Sequence, residues 1–237
     1  MEGISEQNLV GVSAGLSMNG LKPYVNTIGT FLTRRCFEQV VVDICLHNLP
    51  VTLIGNGGGG VYAPLGPTHQ AIEDISILRS LPNLTILAPC DANDMKNLVK
   101  ETEKYKFPVY IRVARGRDKI VTGKIKTKIS KGLILKKSNK FNFITTGVMA
   151  QVALDSCEIL SKKYNIDCGV AHFSTVKPLD ENMLKKIIKN SKKIMTLEEN
   201  FLKCGFGSSI LEFANKNLKD HQKKIRLSGL DSNFLEK

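Results

Sequence analysis

A carboxylate and an aromatic ring are the residue types in this sequence whose spacing most directly suggests chemistry: Glu6 in Gly3-Ile4-Ser5-Glu6-Gln7-Asn8, and Phe31, twenty-five residues later, in Gly29-Thr30-Phe31-Leu32-Thr33-Arg34. Each opens a helical pattern, and one strand-like segment, Pro23 to Ile28, lies between them. That order places acid and ring at neighbouring strand ends, where open α/β sheets bind ligands. The pair predicts a pocket for a flat heterocycle that must be protonated. Taken without its neighbours, Glu6 reads as an acid favoured by its helix dipole, and Phe31 as core packing at a helix start.

The elements that must position this pair alternate between helix and strand, as in a parallel sheet covered by helices. Helices are expected over Gln7–Asn19, Thr30–His47, His69–Leu81 and Asp91 to about Tyr105. Strands are expected over Pro23–Ile28, Val51–Ile54, Leu84–Leu87 and Pro108–Val113. Between about 118 and 139 the pattern weakens into short, Lys-rich, hairpin-like segments. A second alternating unit starts at Phe141, with strands at Phe141–Thr146, Cys168–Phe173, Lys193–Leu197 and near Ile225, and helices at Met149–Tyr164, Glu181–Asn190 and Gly207–Asn217. The expected fold class is α/β with two doubly wound parallel-sheet domains, at 1–117 and 140–237, joined by a basic linker at 118–139.

Composition narrows the function. At 237 residues, 42% apolar and 24% charged, the chain is an ordinary globular sequence with no apolar run long enough for a membrane span and no secretory leader pattern. Six cysteines form no CxxC pair and have no His at metal spacing, so no disulfide framework, zinc site or other metal site is expected, and a reduced, cytoplasmic setting is. The net charge of +12 arises after residue 115, where twenty-four Lys/Arg face twelve Asp/Glu. Nine of these basic residues lie between Arg117 and Lys140, mostly Lys and without interleaved aromatics, so a solvated surface is favoured over a nucleic-acid interface. The glycine run 57–60 lacks a P-loop Lys-Ser/Thr and does not fit GxGxxG, so a flexible active-site loop is expected rather than a phosphate cradle.

The Glu6 and Phe31 segments, with Gly66-Pro67-Thr68-His69-Gln70, Leu81-Pro82-Asn83 and Pro108-Val109-Tyr110-Ile111-Arg112, resemble in wording and order the pyrimidine-binding domain of the transketolase family. Glu198-Glu199 followed by Gly205-Phe206-Gly207 resembles that family's C-terminal domain. The resemblance implies thiamine diphosphate as cofactor. Glu6 would bond N1′ of the aminopyrimidine and favour its imino tautomer, so that the 4′-nitrogen can take the thiazolium C2 proton. Such a carboxyl is expected in a water-poor site with a raised pKa. Phe31 would stack on the aminopyrimidine, with Ile28 beside it where many relatives have a second aromatic. Arg34, His69 and Arg115 would contact a sugar-phosphate substrate, and His69 could also shuttle protons. Leu65 stands where relatives have an acid before Gly-Pro-Thr-His, which puts the usual sugar-phosphate specificity in doubt.

The chain has no Gly-Asp-Gly with a later Asn, the family signature for the metal and diphosphate. The resemblance therefore implies a C-terminal subunit completed by a separate N-terminal transketolase subunit, which would hold Mg2+ or Ca2+, in a homodimer or a two-plus-two heterotetramer. Relatives carry several tens of residues before the Glu6 motif, so an N-terminally truncated first domain is also expected. The leading activity is ketol transfer between sugar phosphates. The alternatives are a 1-deoxyxylulose-5-phosphate synthase-like enzyme, a 2-oxoacid dehydrogenase beta-type subunit, and a catalytically degenerate fragment kept for assembly.

Overall fold

A computed structural model describes residues 3–114, 116, 118–231 and 233. The first unit runs α1 (Glu6–Met18), β1 (Tyr24–Ile28), α2 (residues 31–46), β2 (Thr52–Asn56), α3 (Asp74–Leu78), β3 (Thr85–Leu87), α4 (Ala92–Thr102) and β4 (Val109–Val113). The second runs β5 (Leu133–Lys136), β6 (Phe141–Thr145), α5 (Met149–Tyr164), β7 (Cys168–His172), β8 (Thr175–Lys177), α6 (Glu181–Asn190), β9 (Lys193–Phe201), α7 (Phe206–Asn217) and β10 (Ile225–Leu230).

Two five-stranded sheets result, ordered β1-β2-β4-β3-β8 and β10-β9-β6-β7-β5. Their central pairings are parallel, as the alternation of helix and strand demands, and each gains one antiparallel edge strand. β5 arises inside the Lys-rich stretch and pairs with β7. β8, which the sequence pattern did not show, carries the second unit's chain back to pair with β3 of the first sheet. At three residues it is too short to display an alternation of its own.

Local chemistry explains where the helices start and stop. Asp91 caps α4 by accepting the Asp94 amide, while Asp94 accepts the amide of Cys90. Asp180 does the same for α6 through the Met183 amide. The expected long helix from His69 shrinks to the five residues of α3. Its intended first turns are instead a tight turn after Pro67, because buried Asp74 is drawn to Tyr110 and Arg112 of β4. α2 is helical as expected but wide, with π-type turns at Phe31–Arg35 and Val40–Leu46 around three α-helical residues.

One hydrophobic core crosses both units, from Val10, Leu32, Leu53 and Ile86 to Ile144, Phe173, Phe206 and Ile210. Each fully buried side chain of this size stabilises the fold by about 1.5–3 kcal/mol. Polar groups fasten the same junction. Asp94 accepts the Ser174 hydroxyl at 2.7 Å and faces His172 Nε2 at 3.4 Å. Burial pushes the Asp94 carboxyl up, but these partners and the Cys90 amide bring it below its ordinary value. Sequence spacing gave no such partner for His172 or Cys90, whose ligand-type atoms lie with that of Asp94 within 4.8 Å of one another. The six cysteines are free, and among the described residues no helix is long and apolar enough to cross a membrane.

Glu198 shows why the Gly205-Phe206-Gly207 signature has its form. Its carboxylate accepts the amides of Phe206 and Gly207 at 2.6 and 2.7 Å at the start of α7. A Cβ at position 205 would lie 2.3 Å from its Oε2. Burial pushes this carboxyl from 4.5 up to about 7, against those amides and the Arg112 and Arg79 charges. The folded chain thus keeps a proton that the unfolded chain has released, a contribution to stability present below the unfolded pKa and lost as pH rises through the folded one. The melting temperature of the native chain relative to Glu198→Gln should therefore fall between pH 5 and about 7 and then level off. Thermal melts across that range test this, and a pH-independent difference would contradict it.

Candidate active site

The site forms at the carboxyl ends of β1 and β2, which are in parallel register with Ile28 opposite Asn56. Chain leaving β1 turns at once into α2 and presents Phe31, half-buried, on the first wide turn. Glu6, the first residue of α1, lies 7% exposed. Acid and ring are brought together, as their order in the sequence predicts, but through a third residue. Arg35 donates from Nη1 to Glu6 Oε2 at 2.6 Å, while its guanidinium carbon lies 4.2 Å from the Phe31 ring centroid.

His69 completes the cluster, its ring edge-on to Phe31 with centroids 5.3 Å apart. Its Nδ1 is hydrogen-bonded with the Thr68 hydroxyl at 2.9 Å. The turn that carries it is gripped by Arg34, which pairs with Glu73 and donates to the carbonyls of Pro67 and Gln70 at 3.0 Å each. Thr30 adds a bond to the Thr68 carbonyl. Arg34 therefore spends its guanidinium on positioning the His69 turn. Ile28 is half-buried at the end of β1, Leu65 is exposed in a single 3-10 turn, and Arg115 lies outside the described residues.

Two expectations change. Glu6 does not have a raised pKa: burial does push its carboxyl up, but the Arg35 bond, a backbone bond and the Arg35 charge outweigh this and hold it below its ordinary value. The glycine run is not loose. Gly58 donates to the Val113 carbonyl, Gly59 to that of Ala71, and Gly60 to Glu199 Oε1 of the second unit. A Cβ at Gly58 would come within 2.6 Å of Arg112 Cγ, and one at Gly59 within 2.1 Å of the Glu199 carboxylate.

Arg35, Glu73 and the Asp74–Arg112 pair are the residues that sequence reasoning missed. The signal for Arg35 was present: on a helix a residue four positions on lies over the starting side chain. An adjacent arginine pair concealed it by also reading as a solvated face. As built, the cluster offers a ring face and a buried acceptor to a flat, hydrogen-bond-donating group, and a planar cation already uses both. The donor set fits the aminopyrimidine half of thiamine diphosphate. It does not fit the diphosphate half: the one metal-capable group of His, Cys, Asp and Glu found among the described residues is the buried Cys90, Asp94 and His172 set, not the oxygen cage that Mg2+ and phosphates require.

Comparison with known proteins bears on the family and the fold. The model of the transketolase pyrimidine-binding domain matches residues 2–118, and that of the transketolase C-terminal domain matches residues 130–231. A 1-deoxy-D-xylulose-5-phosphate synthase of Clostridium perfringens is 37% identical over 99% of this chain and 38% of its own length. One from Caldanaerobacter subterraneus is 36% identical over 99% of the chain and 37% of the relative. The chain thus spans a little over a third of these relatives. A solved split-gene transketolase, described as an inactive beta4 tetramer, superposes with a TM-score of 0.88 at 30% identity, covering 97% of this chain and 74% of that one. Transketolase of Pichia stipitis in complex with sedoheptulose 7-phosphate shares the fold, with a TM-score of 0.71 at 20% identity over 83% of this chain and 30% of that one. The chain belongs to the transketolase family, whose pyrimidine-binding and C-terminal domains it carries in that order.

Proposed function

We propose that the chain is the pyrimidine-binding subunit of a cytoplasmic, thiamine diphosphate-dependent, transketolase-type enzyme that moves a two-carbon ketol unit between sugar phosphates. It works with a separate subunit holding the diphosphate and its Mg2+, in a two-plus-two assembly. The observation that carries this reading is the meeting of a buried carboxylate and an aromatic face at one strand end. When bound, the cofactor supplies a thiazolium ring that takes up the electron pair released when the bond beside a carbonyl breaks.

This chain's residues have separate tasks. Glu6 would accept and share the proton of ring atom N1′, and Phe31 would fix the plane of that ring, with Ile28 at its margin. His69 stands beside Phe31 on a turn locked by Arg34, placed to hydrogen-bond substrate hydroxyls or exchange a proton, and the phosphate is assigned to Arg115 on the sequence pattern alone. The partner surface has support next to the site. α1, which starts with Glu6, exposes Val12 and Leu16, one turn apart on one face, by 43% each, an apolar pair suited to a second polypeptide.

A second reading keeps the cofactor and makes the chain part of a 1-deoxyxylulose-5-phosphate synthase-like enzyme, which the 37% identity to such a synthase supports, or of a 2-oxoacid dehydrogenase-type enzyme, with a 2-oxoacid tested as donor. Ketose and 2-oxoacid donors, each offered with one acceptor aldehyde to the reconstituted pair, separate the two. Ketol transfer without 2-oxoacid decarboxylation supports the first, and the reverse result replaces it.

Glu6→Gln should lower turnover of the assembled enzyme by about a hundred- to ten-thousand-fold, the usual share of a positioned acid or base, while assembly persists. Full turnover by this variant would remove Glu6 from the mechanism. His69→Asn should lower kcat/KM for the sugar substrate by roughly tenfold or more, equivalent to about 1.4 kcal/mol, without changing cofactor affinity. Steady-state kinetics beside cofactor titrations check both halves of that expectation.

A further inference from the structure

We infer that Arg35 is an internal stand-in for the aminopyrimidine, occupying its place on Phe31 and Glu6 until the cofactor displaces it. The inference rests on the function proposed above and adds a competitor to that site. A guanidinium is flat, carries N–H donors along its edge, and lies readily on an aromatic face. A protonated aminopyrimidine is flat, donates an N–H from its edge to a carboxylate, and stacks on an aromatic face. Arg35 makes both contacts at once, 2.6 Å to Glu6 Oε2 and 4.2 Å to the Phe31 centroid. A ring on Phe31 that donates to the same oxygen has to take its place.

The neighbouring residues show a side chain built to leave. Arg34 has its guanidinium bound to Glu73 and to two carbonyls of the His69 turn, whereas the Arg35 side chain is 43% exposed. The Arg35 backbone is anchored instead, its carbonyl accepting from Gln7 Nε2 at 3.1 Å. The side chain can therefore swing to water by rotation about its own bonds while α1 and α2 stay in register. In the chain alone it keeps the buried Glu6 carboxylate paired and the Phe31 face covered. In the assembled enzyme it taxes cofactor affinity by the fraction of molecules in which it is seated.

The test uses the chain joined to the polypeptide carrying the diphosphate-binding domain, titrated calorimetrically with thiamine diphosphate and Mg2+. Arg35→Met, which retains an unbranched stem without the planar charge, should tighten cofactor binding by about tenfold, and Arg35→Lys by less. In the native protein labelled with 15N, the Arg35 Nε–H proton should be shifted upfield by the Phe31 ring before titration and return to a solvent-like position at saturation. Equal or weaker cofactor binding by a folded Arg35→Met, or an upfield proton that persists at saturation, would overturn the inference while leaving the cofactor reading intact. If no form binds the cofactor, and Glu6→Gln matches the native chain, both fall together.

Discussion

A single buried guanidinium, that of Arg112, sets the positions from which the site is built. It lies inside the junction of the two units, bound to Asp74 at 2.9 Å, to the Ala71 carbonyl at 2.9 Å and to the Glu199 carbonyl at 2.7 Å. With Asp74 fully buried, loss of either partner would leave an uncompensated charge, which destabilises by about 3–5 kcal/mol. The consequence is geometric. Ala71 and Asp74 end the segment that carries His69, and Glu199 receives the amide of Gly60, so one side chain holds a turn of the first unit and a strand of the second in register. The glycines at 58 and 59 follow from this crowding, since any Cβ there would strike Arg112 or Glu199.

Upon that frame the local helix geometry decides which side chains meet. An α-helical turn would also bring residues three and four apart together, but the π-type turn at Phe31–Arg35 sets Arg35 over the ring of Phe31 and toward α1. Arg34, one position earlier, faces the opposite way, toward the His69 turn. Two adjacent arginines thereby acquire different work: one fixes the loop, the other pairs the acid.

Sequence could foresee the larger part of the fold because hydrophobic periodicity is strong in α4, α6 and α7, because the parallel strands are short apolar runs, and because Asp91 and Asp180 are efficient caps. It failed where tertiary contacts override local pattern. The helix expected from His69 to Leu81 lost its first turns to the pull of Arg112 and Tyr110 on Asp74, and β8 exists only because β3 offers it an edge. Glu6, Phe31 and His69 were legible because their neighbours spell a family pattern, and the structure brings these three side chains into one cluster. The sign of the Glu6 pKa was not legible, since it depends on a partner twenty-nine residues away that reads as surface.

The proposed division of the cofactor between two polypeptides has an energetic reason that also accounts for Arg35. One aromatic stack contributes about 0.5–1.5 kcal/mol beyond burial, and one charged hydrogen bond about 1.5–3 kcal/mol. Together, at about 2–4.5 kcal/mol, they reach only the low end of the roughly 4–15 kcal/mol lost when a free molecule is immobilised. A pyrimidine half-site alone would therefore stand largely vacant, and its occupancy depends on the diphosphate end being held nearby at high effective concentration. A vacant half-site whose buried carboxylate kept only its backbone bond would in turn be costly, because charge removed from water needs a charged partner. Weak binding by one half and the need to pair Glu6 in that half are two sides of one constraint, and a side chain on a half-exposed stem meets it without blocking the site for good.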